Sequence, residues 1–295
     1  MLKGIDDLLV SESQPVWNVK ISPDNNYVAC GSWDNNQKAK GSSKNCLSIL
    51  ELKTFDVVKL LSIEPDRYNA LGFIPELDYT TSNGIRKISF NPDGSQLAVI
   101  TNRGDLFVWD LKNNFKSKEI KYGDTKHKLI DISPDWKYLV CSDRKRRLVD
   151  SCFYFLSLDN NEIIARFDVP PKTIIRTYFS NHNKIIASVG GNRIKRNEID
   201  LWDIETKNLM KSLNGHSNVI RSINFSKDDK LLVSVGEDNL INLWNVLTGD
   251  LIATFTENNG KELTSALFSP DNKYLITGSQ DKTIKYWRID SLIKN

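Results

Sequence analysis

Residues 213–246 read LNGHSNVIRSINFSKDDKLLVSVGEDNLINLWNV. The stretch divides into three short apolar runs, IRSINF, LLVSV and INLWNV, separated by SKDD and GEDN. Ser, Asp, Asn and Gly are residues that close tight turns, because their side chains bond local backbone or tolerate positive φ. Runs of five or six residues between such turns are strands rather than helices. The stretch therefore predicts a three-strand antiparallel unit.

The first hairpin of that unit recurs along the chain. It appears as ISPDNNYVAC from Ile21, FNPDGSQLAV from Phe90, ISPDWKYLVC from Ile132, FSNHNKIIAS from Phe179, FSKDDKLLVS from Phe225 and FSPDNKYLIT from Phe268. The turn Ser or Asn falls at 22, 91, 133, 180, 226 and 269, giving intervals of 69, 42, 47, 46 and 43. A Pro in this turn presets φ, and the Asp after it bonds its own backbone. A third strand follows each hairpin: CLSILEL, LFVWDLK, CFYFLSLD, IDLWDIE, INLWNVL and IKYWRID. A fourth apolar segment precedes the next hairpin, as in VVKLLSI, EIIARFD and LIATFTE. Four short strands repeated at about 40–45 residues are the pattern of a propeller. The long first interval is explained by insertions at residues 35–45 and near 64–84, and helix content should be very low.

On these residues the sequence resembles the WD-repeat family. Trp109-Asp110 and Trp202-Asp203 are the family dipeptide, Trp244-Asn245 and Trp287-Arg288 are near matches, and Leu50-Glu51 and Leu156-Ser157 hold its place elsewhere. Gly215-His216 matches the family's Gly-His pair. The resemblance implies a hydrogen-bonded chain inside a blade, carried in full by His216, Ser234, Asp238 and Trp244. In the last blade Thr277, Asp281 and Trp287 match, but Asn259 stands where the His would be. The six repeated units predict an all-β, six-bladed propeller formed by residues 1–295 as a single domain, fewer blades than the seven usual in that family. Only SLIKN follows the last strand, so the final blade lacks an outer strand. The segment DLLV at residues 7–10 has the register to supply it and close the ring. Seven blades with one diverged is the alternative, for which only residues 54–84 leave room.

The formal charge of +3 decides little as a total, but its placement does. In such a blade the loop between the second and third strands opens on one face, taken as the top. There the chain inserts NNQKAKGSSKN with Lys38, Lys40 and Lys44, DRKRRLVD with Arg144, Lys145, Arg146 and Arg147, and NRIKRNE with Arg193, Lys195 and Arg196. These loops carry net charges of +3, +2 and +2, so the rest of the chain is acidic. Arg103 adds to them from a short loop. Trp17, Arg86, Lys128, Ile175, Arg221 and Thr264 recur at one position in the innermost strands, near the channel mouth, and Trp and Arg are enriched in interface hot spots. Tyr68, Leu71, Phe73, Ile74 and Tyr79 make the approach to the second blade apolar for a loop.

Catalysis needs titratable groups gathered at one site. Of the three histidines, His216 belongs to the blade chain, His182 replaces a turn residue and His127 lies in a loop without metal-ligand spacing around it. No nucleophile elbow or phosphate-cradling loop is present, so no catalytic residue, cofactor or metal is expected. The expected function is a non-catalytic platform for a protein or peptide partner on the top face. The alternative is a binder of nucleic acid or of a phosphorylated or acidic ligand through the basic loops. No membrane and no small-molecule substrate is expected. No apolar run reaches a membrane-spanning length or builds a secretory leader. Cys30, Cys46, Cys141 and Cys152, without a CxxC pair, read as reduced thiols of a cytoplasmic protein.

Overall fold

In the computed structural model, residues 16–32, 45–51, 53–54, 57–63, 85–101, 104–120, 127–143, 152–169, 173–191, 197–256, 261–269, 271–281 and 283–293 are described. Their strands fall into six antiparallel sheets. The first holds β1 (Val16–Ile21), β2 (Tyr27–Ser32), β3 (Asn45–Glu51) and β4 (Val57–Ile63). The second holds β5 (Ile85–Phe90), β6 (Gln96–Thr101), β7 (Leu106–Asp110) and β8 (Lys116–Ile120). The third holds β9 (His127–Ile132), β10 (Tyr138–Asp143), β11 (Cys152–Ser157) and β12 (Ile163–Asp168). The fourth holds β13 (Thr173–Phe179), β14 (Ile185–Gly191), β15 (Glu198–Asp203) and β16 (Leu209–Asn214). The fifth holds β17 (Ile220–Phe225), β18 (Leu231–Gly236), β19 (Leu240–Asn245) and β20 (Leu251–Thr256). The sixth has three strands, β21 (Leu263–Phe268), β22 (Tyr274–Ser279) and β23 (Ile284–Arg288), followed by the short helix α1 (Ile289–Leu292). Strands follow one another in space as they do in sequence, as expected for a repeat protein of four-stranded antiparallel sheets. The segment expected to close the ring, residues 7–10, lies outside the described residues. His127 opens β9 rather than lying in a loop.

The recurring turn has one geometry. The N–H of Asn25, Gly94, Trp136, Asn183, Asp229 and Asn272 donates to the carbonyl of the residue three positions before it, at 2.8–3.1 Å. All six residues have φ between +56° and +70°. That is cheap for Gly94 and tolerable for Asn and Asp, but it is strained for Trp136. Trp136 is held there by its indole, which donates to Ser89 Oγ at 3.3 Å on the preceding sheet. The turn serine lies inside. Ser226 Oγ accepts Leu231 N–H at 2.9 Å and donates to Asp228 Oδ1 at 2.7 Å. Ser22 and Ser269 close their turns in the same way.

The chain divides into two compact units, Met1–Trp136 and Lys137–Asn295. In the first, Ala29, Leu47 and Ile49 of sheet one pack on Ile85, Ile88, Phe90, Leu97, Val99 and Trp109 of sheet two. In the second, sheet five is covered on both faces. Leu232 and Trp244 meet Ala187, Val189, Ile199 and Leu201 of sheet four. Val233, Val235, Ile241 and Leu243 meet Leu263, Ala266 and Leu275 of sheet six. The third and fourth sheets of this unit join through aromatics. Phe153 stacks on Phe167 at 4.4 Å, and Trp202 meets Phe153 edge-on at 5.7 Å.

The turn carboxylates tie folding to pH. Hydrogen bonds from Ser22, Ser226 and Ser269 hold Asp24, Asp228 and Asp271 below the ordinary value of 3.8, and Ser95 does the same for Asp93. A depressed native value adds stability that is present above the unfolded value and is lost as pH falls through the native one. The urea midpoint should therefore be level from neutral pH down to the ordinary aspartate value and drop below it. Asp228→Asn should flatten part of that drop.

Candidate partner-binding site

At the end opposite the tight turn, the innermost strand carries a bulge in sheets one, two, four, five and six. The register of β1 on β2 slips between Val16 and Asn18, that of β5 on β6 between Ile85 and Lys87, and that of β13 on β14 between Ile174 and Arg176. The same slip occurs between Ile220 and Ser222 and between Leu263 and Ser265. The extra residues are Trp17, Arg86, Ile175, Arg221 and Thr264, five of the six singled out from the sequence. A bulge leaves one residue outside the ladder and re-aims its side chain, and bulges gather beside functional sites. The pairs Val16–Ser32, Ile85–Thr101, Thr173–Gly191 and Ile220–Gly236 set these residues beside the loop between the second and third strands of their own sheet. The bulges thus lie at the end of the sheet where the second strand finishes.

Two of the expected contact residues have described side chains. Arg221 is half-exposed and pairs with Glu237 and, at 3.8 Å, with Glu262. Its carbonyl accepts Arg176 Nη1 at 2.6 Å, which pins the bulge to the preceding sheet. Gln280 Nε2 donates to Glu262 Oε2 at 2.7 Å, extending the cluster to sheet six. Around Arg221 the rim is therefore charge-balanced rather than basic, which sequence proximity alone did not reveal. Arg86 is partly buried on β5. Trp17 and Lys128 lie on β1 and β9. Lys38, Lys40, Lys44, Arg103, Arg144, Lys145, Arg146, Arg147, Arg193, Lys195 and Arg196 lie outside the described residues, as do the apolar residues from Tyr68 to Tyr79.

The four residues of the expected blade chain come together. His216 Nδ1 lies 2.9 Å from Asp238 Oδ2, His216 Nε2 lies 2.7 Å from Ser234 Oγ, and Trp244 Nε1 donates to the same hydroxyl at 2.8 Å. Burial pushes the Asp238 carboxyl up, but bonds from His216 and from the Ser217 and Leu240 N–H groups outweigh it and hold the group low. Gly215 is required beside this chain, because a Cβ there would sit 2.8 Å from the Trp244 ring. In sheet six Trp287 Nε1 reaches Thr277 Oγ1 at 3.0 Å, while Asp281 turns to Thr283 in its own loop. Without an imidazole at 259, Asp281 has no reason to point inward.

Sequence reading missed a further copy of the pair. Trp202 Nε1 donates to Ser188 Oγ at 2.9 Å, both buried. The registers show the rule behind it. Cys30, Val99, Cys141, Ser188, Ser234 and Thr277 share one position, and Leu50, Trp109, Leu156, Trp202, Trp244 and Trp287 share the other. Where the tryptophan is replaced by leucine, the hydroxyl is replaced by a thiol. No indole N–H then needs an acceptor, and a buried hydroxyl without one would cost stability. Cys141 suits that dry position, with burial pushing its thiol up to about 12.

Ser234→Ala leaves two buried ring nitrogens, Trp244 Nε1 and His216 Nε2, without their hydroxyl partner and should cost about 2–4 kcal/mol in urea unfolding. Ser188→Ala strands one and should cost about 1–2 kcal/mol. Equal losses would show that His216 adds nothing through the serine.

Among the described residues no cluster of His, Cys, Asp and Glu could hold a metal ion, and no helix is long and apolar enough to cross a membrane. Residues 8–36, 207–245 and 249–288 match the family described as WD domain, G-beta repeat. The chain is 25% identical over 62% of its length to autophagy-related protein 16 of Arabidopsis thaliana, covering 34% of that protein. It is 23% identical over 57% of its length to WD repeat-containing protein SL1-17 of Schistosoma mansoni, covering 53% of it. It is 25% identical over 83% of its length to protein transport protein SEC31 of Pyricularia oryzae, covering 19% of it. The chain thus spans less than two thirds of each of these relatives. Six phased repeats, the His–Ser–Trp chain inside a sheet, these three matching stretches and the similarity to WD-repeat proteins support a WD-repeat family for the chain.

Proposed function

We propose that the chain is a non-catalytic interaction platform that takes a protein or peptide partner at the bulged ends of its sheets. The observation that carries this reading is the repeated bulge, which takes Trp17, Arg86, Ile175, Arg221 and Thr264 out of the ladder beside the loops between second and third strands. A rigid sheet that holds variable loops at one end is how binding surfaces are commonly built. The basic loops with Arg144, Lys145, Arg146, Arg147, Arg193, Lys195 and Arg196 would steer an acidic segment of the partner toward that end. The imidazole of His216 is spent on Asp238 and Ser234, and that of His182 faces Asp229. The His216, Asp238 and Ser234 side chains are all buried, which keeps that trio from a substrate. Cys30 and Cys141 are buried free thiols, in keeping with a reducing, cytoplasmic setting.

Binding of nucleic acid or a phosphorylated ligand through the same loops is the second reading. The ion pairs of Arg221 with Glu237 and Glu262 count against it, since carboxylates at the rim repel phosphate. Replacing Arg144, Lys145, Arg146 and Arg147 together by Glu should reduce recovery of partners from host extract by about tenfold or more, as loss of rim charge slows association. The unfolding midpoint should not change. Unchanged recovery would remove these loops from the reading. Oligonucleotide binding that weakens steeply with salt would replace the protein partner by a nucleic acid.

A further inference from the structure

We propose that Arg176 is the anchor of the partner-binding end, a guanidinium held ready for an Asp or Glu side chain of the partner, an inference that rests on docking at the bulged strand ends. Arg176 directly follows the bulge of β13. Its Nη1 donates to the Arg221 carbonyl at 2.6 Å and to the Ile220 carbonyl at 3.4 Å. The Arg221 carbonyl is available because the bulge of β17 takes that residue out of its ladder. Tyr178, two residues on and on the same face of β13, approaches the same carbonyl with its hydroxyl at 3.4 Å. The neighbouring sheet thereby fixes the guanidinium in place.

The chain supplies Arg176 with carbonyls but with no carboxylate. Arg221, one sheet further on, is paired with Glu237 and Glu262. Arg176 spends one nitrogen on two neutral acceptors. Among the described residues its Nε and Nη2 make no hydrogen bond, and the side chain makes no ion pair. The residue is partly exposed, and these two nitrogens reach water rather than being buried without a partner. A guanidinium carries its donors in a flat fork, so Nε and Nη2 present two parallel N–H groups along one edge. A carboxylate accepts such an edge with two short charge-assisted bonds, each about twice as strong as a neutral one. The carbonyl bonds already restrict the side chain, so docking orders less of it than it would a free surface arginine. Charge selects the same group. The carboxylates of Glu237 and Glu262 oppose a doubly charged phosphate more strongly than a singly charged carboxylate.

The probe is a random dodecapeptide library displayed on phage and selected on the whole chain, with the recovered sequences remade as synthetic peptides amidated at the C-terminus. They should share an Asp or Glu, and its change to Asn or Gln should weaken binding by about tenfold or more, the scale of a charged hydrogen-bonded pair. Arg176→Gln keeps a side-chain donor for the Arg221 carbonyl and should weaken the parent peptide by the same factor. The two changes together should weaken it no further than either alone, the mark of a direct contact. Arg166→Gln, on an exposed arginine of β12, should leave binding at the wild-type level. If Arg176→Gln does not fold, Arg176→Lys, which keeps the charge and a donor but loses the fork, takes its place in the same cycle. Simple addition of the two effects would make Arg176 a structural staple only and overturn the anchor. Peptides that ignore Arg176→Gln but are weakened by Thr264→Trp, at another of the bulges, overturn the anchor and keep the docking end. Peptides that ignore both changes, or recovery of none, overturn both.

Discussion

The structure depends on covering both faces of each sheet at once. In a strand, successive side chains point to opposite faces, so a strand buried along its whole length must have a neighbour on either side. In β18 Leu232, Val233, Ser234, Val235 and Gly236 are buried without a break. Leu232 belongs to the core shared with sheet four, and Val233 and Val235 to the core shared with sheet six. No single repeat can satisfy that pattern, so the repeats stack within each unit. The sixth sheet departs from the pattern. Ile284 and Tyr286 of β23 are 54% and 68% exposed, whereas Ile241 and Leu243 at matching positions of β19 are fully buried.

Stacking buries polar groups too, and the chain meets them with contacts one repeat apart. Lys87 to Asp131, Arg176 to the Arg221 carbonyl and Asn224 Oδ1 to the Phe268 N–H all link one innermost strand to the next. Inside a sheet the indole-to-hydroxyl bond performs the same service. Its distribution tracks need closely, since the hydroxyl is present beside Trp202, Trp244 and Trp287 and gives way to Cys30 and Cys141 beside Leu50 and Leu156. The polar atoms are there because the buried donor is there, which is why loss of one accompanies loss of the other. Sheet two departs from the rule, with Val99 beside Trp109.

Much of this was legible in the sequence, for a physical reason. The Ser–Pro–Asp turn is a local device, closed by bonds spanning two to five residues, so its signature survives in the letters. The chain of His216, Ser234, Asp238 and Trp244 was legible through resemblance rather than through periodicity. Contacts that span about a repeat were not legible. Arg221 reads as a free cation on a basic rim, yet Glu237 and Glu262 lie against it. Lys87 and Asp131 sit 44 residues apart in sequence and become neighbours only when sheets stack. The Ser188–Trp202 pair was hidden by the absence of the histidine and aspartate that announce the longer chain.

The two ends of a sheet do opposite work. At the tight-turn end, neighbours interlock. Asp229 accepts the N–H groups of Asn181 at 2.7 Å and His182 at 3.0 Å from the preceding turn, and Asn272 Oδ1 accepts Lys227 N–H at 2.9 Å. Burial pushes the Asp229 carboxyl up, yet those backbone donors hold it low, so the ionised form is the one the turn needs. The positive-φ residue is the one that reaches back, as Trp136 does to Ser89. The turn is therefore both a hairpin closure and a staple between sheets, and variation there would break both. At the other end the bulge interrupts the ladder, and neighbouring sheets are tied by Arg176 to the Arg221 carbonyl, by Arg221 to Glu262 and by Asn197 to the His216 carbonyl. Those ties sit on strands and their flanks, whereas at the opposite end the tie is the turn itself, so a change of turn length there would break hairpin and stack together.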